Sequence, residues 1–441
     1  MMPPGIRTTA PSLGRFARKR GLALAVAAVL AAPAPAMADP GDHIRAGDDA
    51  VFTPKILLGL EYNTNAYRAE SQVRGAVNLM VSPGLDLMVE TKDLTFSLGG
   101  AYEIRSFFGQ SRNLSKYDAF HLNADLRAFP EGQLGLRLRE GLALTNIALE
   151  EPNSPDPFQT ELRSTTDGQI VIAPAKTLAI LPGARFGYYN VKATQYGNDI
   201  ASRQFNDQIF YGPRLDAEWK FFPRTALVLA GSYEIHDWTL NAILAPDATG
   251  TFGTTITVPD NKQLRLSGGL RGRLTRHAVV QVQAGYASGN FSEKSVADAG
   301  FGADDPNASY AIDLKGAQKL TVDSQIRYEF SKDTRVTLGY QRDFREAYFT
   351  NFTQYDYGFG RFDGLFAKRV GVVAELGSRL ERYRGLINRN DTMVVARGDL
   401  TWNFQEWASL TGGVTYTQRL STDPLVNFAN LNAHVLTSVS Y

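Results

Sequence analysis

Apolar and polar residues alternate along most of this chain, so that every second side chain is apolar. In the stretch LRLSGGLRGRL, Leu266 and Leu270 share one face. Arg265 and Arg271 take the other face. The same pattern recurs in QLGLRLREGLAL (133–144), HLNADLRA (121–128) and PRLDAEWKF (213–221). A period of two predicts β-strands, because successive side chains of a strand point to opposite faces of the sheet.

A soluble antiparallel sandwich and a membrane β-barrel both show such alternation. Three features favour the barrel. The polar faces carry full charges at successive positions, and many alternating runs are about ten to sixteen residues long, whereas strands of soluble sheets usually have about five or six. The links between the runs also alternate between short and long, which is typical of outer-membrane barrels.

The links give the expected number of strands. Eight short links lie at 90–93, 129–132, 174–177, 222–225, 275–277, 331–334, 367–369 and 404–407. Nine mostly longer, polar links lie near 66–72, 107–116, 145–159, 192–203, 241–260, 290–315, 345–350, 383–388 and 420–425. These links predict an all-β fold, a single transmembrane antiparallel up-and-down β-barrel of about 18 strands. Sixteen strands are the alternative.

In this arrangement the short links are periplasmic turns and the longer links are extracellular loops. An even number of strands lets the first strand, near 54–66, pair antiparallel with the last, near 426–441. Closure of the barrel leaves no strand edge open to lipid, as a membrane requires.

The last alternating run ends on an aromatic residue, Tyr441. Leu431 and Val435 share its face, which is the predicted lipid face, and the ring is expected in the periplasmic aromatic girdle. This ending resembles the signal by which the outer-membrane assembly machinery recognises its substrates, although Phe is the usual last residue there. Six further girdle candidates lie beside short turns: Phe129, Phe221, Phe222, Phe330, Trp402 and Phe404.

The N-terminal region has the pattern of a cleavable export signal. A basic stretch at 15–20 precedes an apolar run from Gly21 to Ala36, and Ala36-Met37-Ala38 gives a small-x-small cleavage site. The run is too short for a transmembrane anchor, and prolines interrupt its end. We therefore expect a signal peptide at 1–38, a periplasmic N-terminal segment at 39–53 and an outer-membrane barrel at 54–441.

Composition narrows the possible functions. The chain of 441 residues has no cysteine, which excludes disulfides, thiolate metal sites, cysteine nucleophiles and a lipoprotein anchor. Five of its 46 basic residues lie in the signal, which leaves 41 against 45 acidic residues. Such a slightly acidic balance is not that of a nucleic-acid-binding protein.

Motifs of catalysis and of cofactor binding are missing from the sequence. The five histidines do not have metal-ligand spacing. G-x-S-x-G and S-x-x-K are also absent. We therefore expect no catalytic, cofactor or metal site, and we expect that the protein is not an enzyme.

A barrel of 18 strands is too wide for side chains to fill, so a water-filled lumen is expected. Nine arginines on the polar faces are predicted to line it: Arg137, Arg139, Arg265, Arg271, Arg273, Arg327, Arg335, Arg379 and Arg397. Three of them lie on one face of the 264–274 strand, where they suggest a positive stripe. The alternative is that such residues form cross-strand ion pairs that only support the wall.

Three segments carry a resemblance to a known family. They are LGLEYNTNAYRAE (58–70), LSKYDAFHLNADLRAFPEGQLGLRLREG (114–141) and NDTMVVARGDLTWNFQEWASLTGGVTYTQRLST (390–422). Their shared features are Tyr62 with Asn65, Tyr117 with Asp118, and Tyr416 with Arg419 and Ser421. In these features the chain resembles the β-barrel porin 2 family of bacterial outer-membrane proteins. The resemblance implies an outer-membrane conduit for polysaccharide export (exopolysaccharide or capsule), which works with a periplasmic polysaccharide-export protein.

The alternative function is a passive diffusion porin for small hydrophilic solutes such as sugars, and a structural or adhesive barrel is a third possibility. A long segment folded into the lumen would favour the porin, and a wide unobstructed lumen with a face for a partner would favour export. The predicted loops 241–260 and 290–315 are long enough to fold inward. In each case we expect location in the Gram-negative outer membrane, with its lipids, lipopolysaccharide and assembly machinery as partners.

Overall fold

A computed structural model describes residues 43–47, 49–65, 73, 75–109, 116–146, 160–192, 204–240, 243–246, 252–256, 260–291, 317–347, 350–384 and 389–441. The predicted signal peptide lies outside these residues. Most of the predicted loops at 66–72, 145–159, 192–203 and 290–315 also lie outside them.

Almost all of the described chain is β-strand. The strands are β1 (Ile44–Arg45), β2 (Ala50–Asn63), β3 (Ala76–Glu90), β4 (Leu94–Gly109), β5 (Lys116–Ala128), β6 (Leu134–Asn146), β7 (Thr160–Ala175), β8 (Leu178–Lys192), β9 (Gln204–Phe222), β10 (Thr225–Leu240), β11 (Ile243–Pro246), β12 (Phe252–Ile256), β13 (Asn261–Arg273), β14 (Ala278–Phe291), β15 (Ala317–Glu329), β16 (Thr334–Ala347), β17 (Thr350–Phe366), β18 (Val370–Arg384), β19 (Arg389–Gln405), β20 (Ala408–Ser421) and β21 (Phe428–Ser440). A 3-10 turn at Pro424–Val426 precedes β21. Within the described ranges, no helix is long and apolar enough to cross a membrane.

Eighteen of these strands, β2–β10 and β13–β21, form one closed antiparallel sheet in which each strand pairs with its neighbours in sequence. The sheet closes where β2 pairs with β21, from Lys55 opposite Ser440 to Asn63 opposite Asn432. The predicted 18-strand up-and-down barrel is therefore confirmed. The short β1 adds to the start of β2, and β11 and β12 form a separate two-stranded sheet.

Two boundaries differ from the sequence prediction. The first barrel strand begins at Ala50 and not at residue 54, because residues 50–53 already pair with the end of β3, Ala50 opposite Val89. The link predicted near 345–350 lies where expected but is shorter than most of its group, because β16 continues to Ala347 and β17 resumes at Thr350. The eight short links do coincide with tight turns.

The two faces of the wall differ in chemistry as the alternation predicts. Leucines and aromatics are exposed on the outer face, including Leu60, Leu266 and Leu400. Aromatic rings cluster on it beside the short turns, where Phe222 and Phe330 are 64% and 60% exposed. The inner face carries most of the charged residues, and several of its aromatic rings lie over glycines. A Cβ atom at Gly187 would come within 2.1 Å of the Phe210 ring, so only glycine allows this approach.

Candidate functional site

The nine arginines predicted to line the lumen all lie on the inner face. They stand on β6 (Arg137, Arg139), β13 (Arg265, Arg271, Arg273), β15 (Arg327), β16 (Arg335), β18 (Arg379) and β19 (Arg397). Leu266 and Leu270, which alternate with the arginines of β13, are half-exposed on the outer face. Arg265 also reaches Asp343 of β16 past two intervening strands. The wall curves toward its concave side, so only inner side chains can make such a contact.

Each of these arginines has a carboxylate partner among the described residues. The pairs and their N–O distances are Arg137–Asp125 (3.9 Å), Arg139–Asp125 (3.0 Å), Arg265–Asp343 (2.7 Å), Arg271–Glu218 (2.6 Å), Arg273–Glu329 (2.6 Å), Arg327–Glu329 (3.3 Å), Arg335–Asp363 (3.4 Å), Arg379–Glu381 and Arg397–Asp399 (2.6 Å). The inner wall therefore carries a network of ion pairs. Six of the nine join different strands, and three lie within one strand: Arg327–Glu329, Arg379–Glu381 and Arg397–Asp399.

This pairing corrects the expectation of a positive stripe on β13. Arg265, Arg271 and Arg273 each face a carboxylate, and the three carboxylates come from different strands. The partners lie 53 to 78 residues away in sequence. Inspection of the neighbouring sequence could not reveal them, because closure of the barrel is what brings them together.

The end of the β16–β17 hairpin bends from the wall into the lumen on the β16 side, while β17 stays paired with β18 up to Phe352 opposite Arg384. Pairing between β15 and β16 stops at Val322 opposite Arg342, although β15 begins at Ala317 and β16 continues to Ala347. Beyond Arg342, β16 pairs only with β17. We refer to residues 343–347 and 350–353 as the hairpin end.

Two aromatic rings attach the hairpin end to the inner wall. Phe344 and Phe352 meet edge to face, with ring centroids 5.0 Å apart. They are almost fully buried against Ala287 of β14. The Phe352 ring occupies the space beside Gly289, where a Cβ atom would approach it within 2.4 Å. The hairpin end therefore crosses the inner side of β15 and rests on β14.

Arg265 holds the same hairpin end by its charge. Its Nη1 donates to both carboxylate oxygens of Asp343, at 2.7 and 2.8 Å, and its Nη2 donates to the backbone carbonyl of Phe344 at 2.9 Å. Its guanidinium carbon also lies 4.8 Å from the centre of the Phe344 ring. Of the nine predicted arginines, Arg265 is thus the one that joins the wall to the hairpin end.

On its other side, the hairpin end is attached to a buried ion network on β18, β19 and β20. Arg345 donates to Glu381 at 3.1 Å, and the Tyr383 hydroxyl donates to the same carboxylate at 2.7 Å. Arg419, 1% exposed, donates to Asp391 through its Nε at 2.9 Å. Buried charges persist only when they are paired and hydrogen-bonded, so this network fixes the wall beside the hairpin end.

A cavity of about 570 Å³ opens in the inner wall between the hairpin end and the periplasmic turns. Its charged lining residues are Arg271, Arg327, Arg335, Arg361, Asp363 and Glu375. Uncharged polar groups and two aromatic rings, Tyr357 and Phe359, complete it. The cavity offers many hydrogen-bond donors and acceptors to a hydrated solute.

The sequence did not single out the hairpin end, and neither predicted inward loop corresponds to it. Loop 290–315 lies almost wholly outside the described residues. Of loop 241–260, only β11, β12 and Asp260 are described. A signal for the buried network existed, since Arg419 belongs to the motif that carries the family resemblance. No group of three or more acidic or histidine side chains in the described ranges is arranged for a metal ion.

No family model matches the sequence, and no curated protein matches it. The resemblance to the β-barrel porin 2 family stays a prediction. Several solved structures are similar in shape. OccAB4 of Acinetobacter baumannii is 9% identical, with 91% of this chain and 100% of that chain covered and a TM-score of 0.45. A BenF-like porin from Pseudomonas fluorescens Pf-5 is 11% identical, with 89% and 99% covered and a TM-score of 0.49. Pseudomonas aeruginosa OpdK, with vanillate, is 12% identical, with 88% and 99% covered and a TM-score of 0.45.

The surface of this barrel itself defines its class. The closed sheet has no free edge strand, its outer wall is mostly apolar, and most of its charges face inward, which is the arrangement that a lipid bilayer requires. The protein is a multi-pass β-barrel of the outer membrane with 18 strands. Matches as distant as these indicate nothing about the solute that crosses it.

Proposed function

We propose that this protein is a passive diffusion channel for small hydrophilic solutes such as sugars. The observation that carries the proposal is the hairpin end inside the lumen, attached to β14 through Phe344 and Phe352 and to β13 through Arg265. An ordered segment inside the barrel limits the bore. A limited bore suits small solutes better than it suits a polymer.

The charge arrangement of the wall supports uncharged cargo. Because each predicted lining arginine is paired with a carboxylate, the field that acts on a solute is weaker than an unpaired stripe would produce. The pairs still present donors and acceptors along the path. A hydrated sugar can exchange hydrogen bonds with water for hydrogen bonds with such a wall at little net cost.

Swelling of proteoliposomes in sugars of increasing size tests this proposal. We expect pentoses and hexoses to enter quickly and oligosaccharides to enter much more slowly. A matched preparation of the Phe344→Ala, Phe352→Ala variant, which removes both rings that attach the hairpin end, should admit larger sugars. Exclusion of hexoses by the folded wild-type channel would contradict the proposal.

The alternative is a conduit for polysaccharide export with a periplasmic partner, which the family resemblance implies. A polymer requires a bore that accepts successive sugar units without an upper limit on chain length. Entry of long oligosaccharides at rates close to that of glucose would favour this alternative. So would a marked increase in conductance when a periplasmic polysaccharide-export protein is added.

A further inference from the structure

A group of charged and polar residues lies on the outer face of the wall, where lipid is expected. It consists of Tyr340 and Arg342 on β16, Asp356 on β17 and Arg382 on β18. Tyr340 shares its face with Leu338, and Arg382 shares its face with Leu380. Both leucines are exposed on the outside of the barrel. We refer to the four residues as the outer arginine site.

Asp356 is the centre of the outer arginine site. Its carboxylate accepts hydrogen bonds from the Tyr340 hydroxyl at 2.7 Å and from Nε of Arg342 at 2.5 Å. Arg382 approaches its other oxygen at 3.9 Å. The aspartate is buried, whereas the side chains of Arg342 and Arg382 are 35% and 43% exposed. Two accessible guanidinium groups around one buried carboxylate leave a net positive charge on the surface.

The height of the site on the barrel coincides with the outer rim of the membrane. Asp356 lies ten residues above Phe366, an exposed aromatic beside a periplasmic turn. A strand rises about 3.3 Å per residue and is tilted by about 45° or slightly less, so the two residues differ by about 25 Å along the membrane normal. The apolar band of an outer-membrane barrel is also about 25 Å tall. The site therefore lies at the level of the outer-leaflet headgroups.

Below the site, toward the membrane centre, two glycines interrupt the side chains on the outer face of β17 before Phe362. Gly358 and Gly360 follow Asp356 on this face. A Cβ atom at Gly358 would meet nothing within 4 Å, and one at Gly360 would lie 3.3 Å from the Leu338 side chain. Leu338 of β16 and Leu376 of β18 flank the glycines and are exposed. These residues form an apolar trough about two strand spacings wide, or roughly 10 Å.

We propose that the outer arginine site and the trough together bind one phosphorylated glycolipid of the outer leaflet, that is, lipopolysaccharide. Guanidinium groups match phosphate with paired hydrogen bonds, and the trough has the width and the apolar lining for an acyl chain. Asp356 positions both arginines for the phosphate and prevents their mutual repulsion.

Titration of the purified, detergent-solubilised protein with fluorescently labelled lipopolysaccharide tests this site. The Arg342→Gln, Arg382→Gln variant should bind it about tenfold or more weakly, because charge-assisted hydrogen bonds to phosphate are lost. The matched control is Arg127→Gln, Arg139→Gln. It removes two arginines from around Asp125 on the inner wall, so lipid binding should not change.

Two further measurements distinguish binding of the phosphate by the arginines from binding of the acyl chain in the trough. Lipopolysaccharide treated with phosphatase should bind the wild-type protein more weakly, and Gly360→Leu, which fills the trough, should weaken binding of the intact glycolipid. Unchanged binding by the double arginine variant would overturn the proposal. Equal affinity for the dephosphorylated glycolipid would overturn it too, and full displacement by inorganic phosphate would assign a free-phosphate site instead. If the double variant does not fold, Arg382→Gln alone applies the same test.

Discussion

Replacement of Arg265 by glutamine should loosen the hairpin end and make the channel conduct unsteadily. The substitution removes the guanidinium that holds Asp343, the Phe344 carbonyl and the face of the Phe344 ring. It leaves the aromatic packing on Ala287 in place. The hairpin end would therefore still rest on the wall for most of the time, but it would detach more often.

The size of the effect follows from these contacts. A charge-assisted hydrogen bond is worth about 1.5–3 kcal/mol when it is shielded, but the Arg265 and Asp343 side chains are 33% and 24% exposed, so the lower end applies. The cation–π contact adds about 0.5–1 kcal/mol. A total of about 2 kcal/mol shifts the ratio of attached to detached hairpin by roughly 30-fold.

Single-channel recording in planar bilayers measures this shift. The variant should show brief transitions to a higher conductance that are about 30-fold more frequent or longer-lived than in the wild type. Arg271→Gln is the control, since it removes the same charge from the same strand but its partner is Glu218 and not the hairpin. If both variants behave alike, Arg265 does not hold the hairpin end, and charge alone explains the change.

Three further predictions concern the wall itself. Cysteine at Arg271 should react with a hydrophilic thiol reagent in the embedded protein, and cysteine at Leu270 should not. The native chain gives no background labelling because it has no cysteine. Equal labelling at the two positions would contradict the assigned faces. Deletion of Tyr441 or its replacement by Asp should reduce outer-membrane assembly, measured as the folded, heat-modifiable band; wild-type levels would show that the ending is incidental. Arg419→Ala should cost about 3 kcal/mol of unfolding free energy, because two charge-assisted hydrogen bonds to Asp391 are lost at a buried site, although Arg389 still pairs with that carboxylate. The half-exposed Arg139→Ala should cost about 1 kcal/mol or less, and equal costs would refute the distinction by burial.

Most of the fold could be predicted because its signal is local. A period of two can be seen within about ten residues of a strand, and the sequences of eight short turns mark where strands end. Alternation also places the nine lining arginines on the inner face, since a shift by one residue would put them into lipid, at a cost of about 2–4 kcal/mol each at the bilayer midplane. An even number of strands permits antiparallel closure between the first and the last.

The pairing of those arginines could not be predicted. Glu218 and Asp343 form ion pairs with arginines of β13, and they belong to strands that lie on either side of β13 in the barrel. Which inner side chains meet depends on strand tilt, register and side-chain length together. Local sequence determines none of these, so a strand that has three arginines and few nearby acids looked positive although each arginine is paired.

The hairpin end shows where alternation itself misleads. Phe344 and Phe352 alternate in step with outward residues of their strands, such as Leu338 and Phe366, so a period of two predicts that they face lipid. They are instead among the most buried aromatics of the described chain. Once β16 separates from β15 beyond Arg342, the outer side of the hairpin faces the inner side of β14.

The packing of the outer side of the hairpin on the inner side of β14 also explains why a hairpin can narrow the channel more firmly than a loop. The backbone groups of β16 and β17 pair with each other from Ala347 opposite Thr350 down to Thr334 opposite Gly364, so the ribbon that enters the lumen is continuous with the wall. Its displacement would require bending of a hydrogen-bonded ribbon and loss of the aromatic contacts on Ala287. A bore that such a ribbon limits has a fixed upper size, and a fixed upper size is the property that distinguishes a diffusion channel from a conduit for polymers.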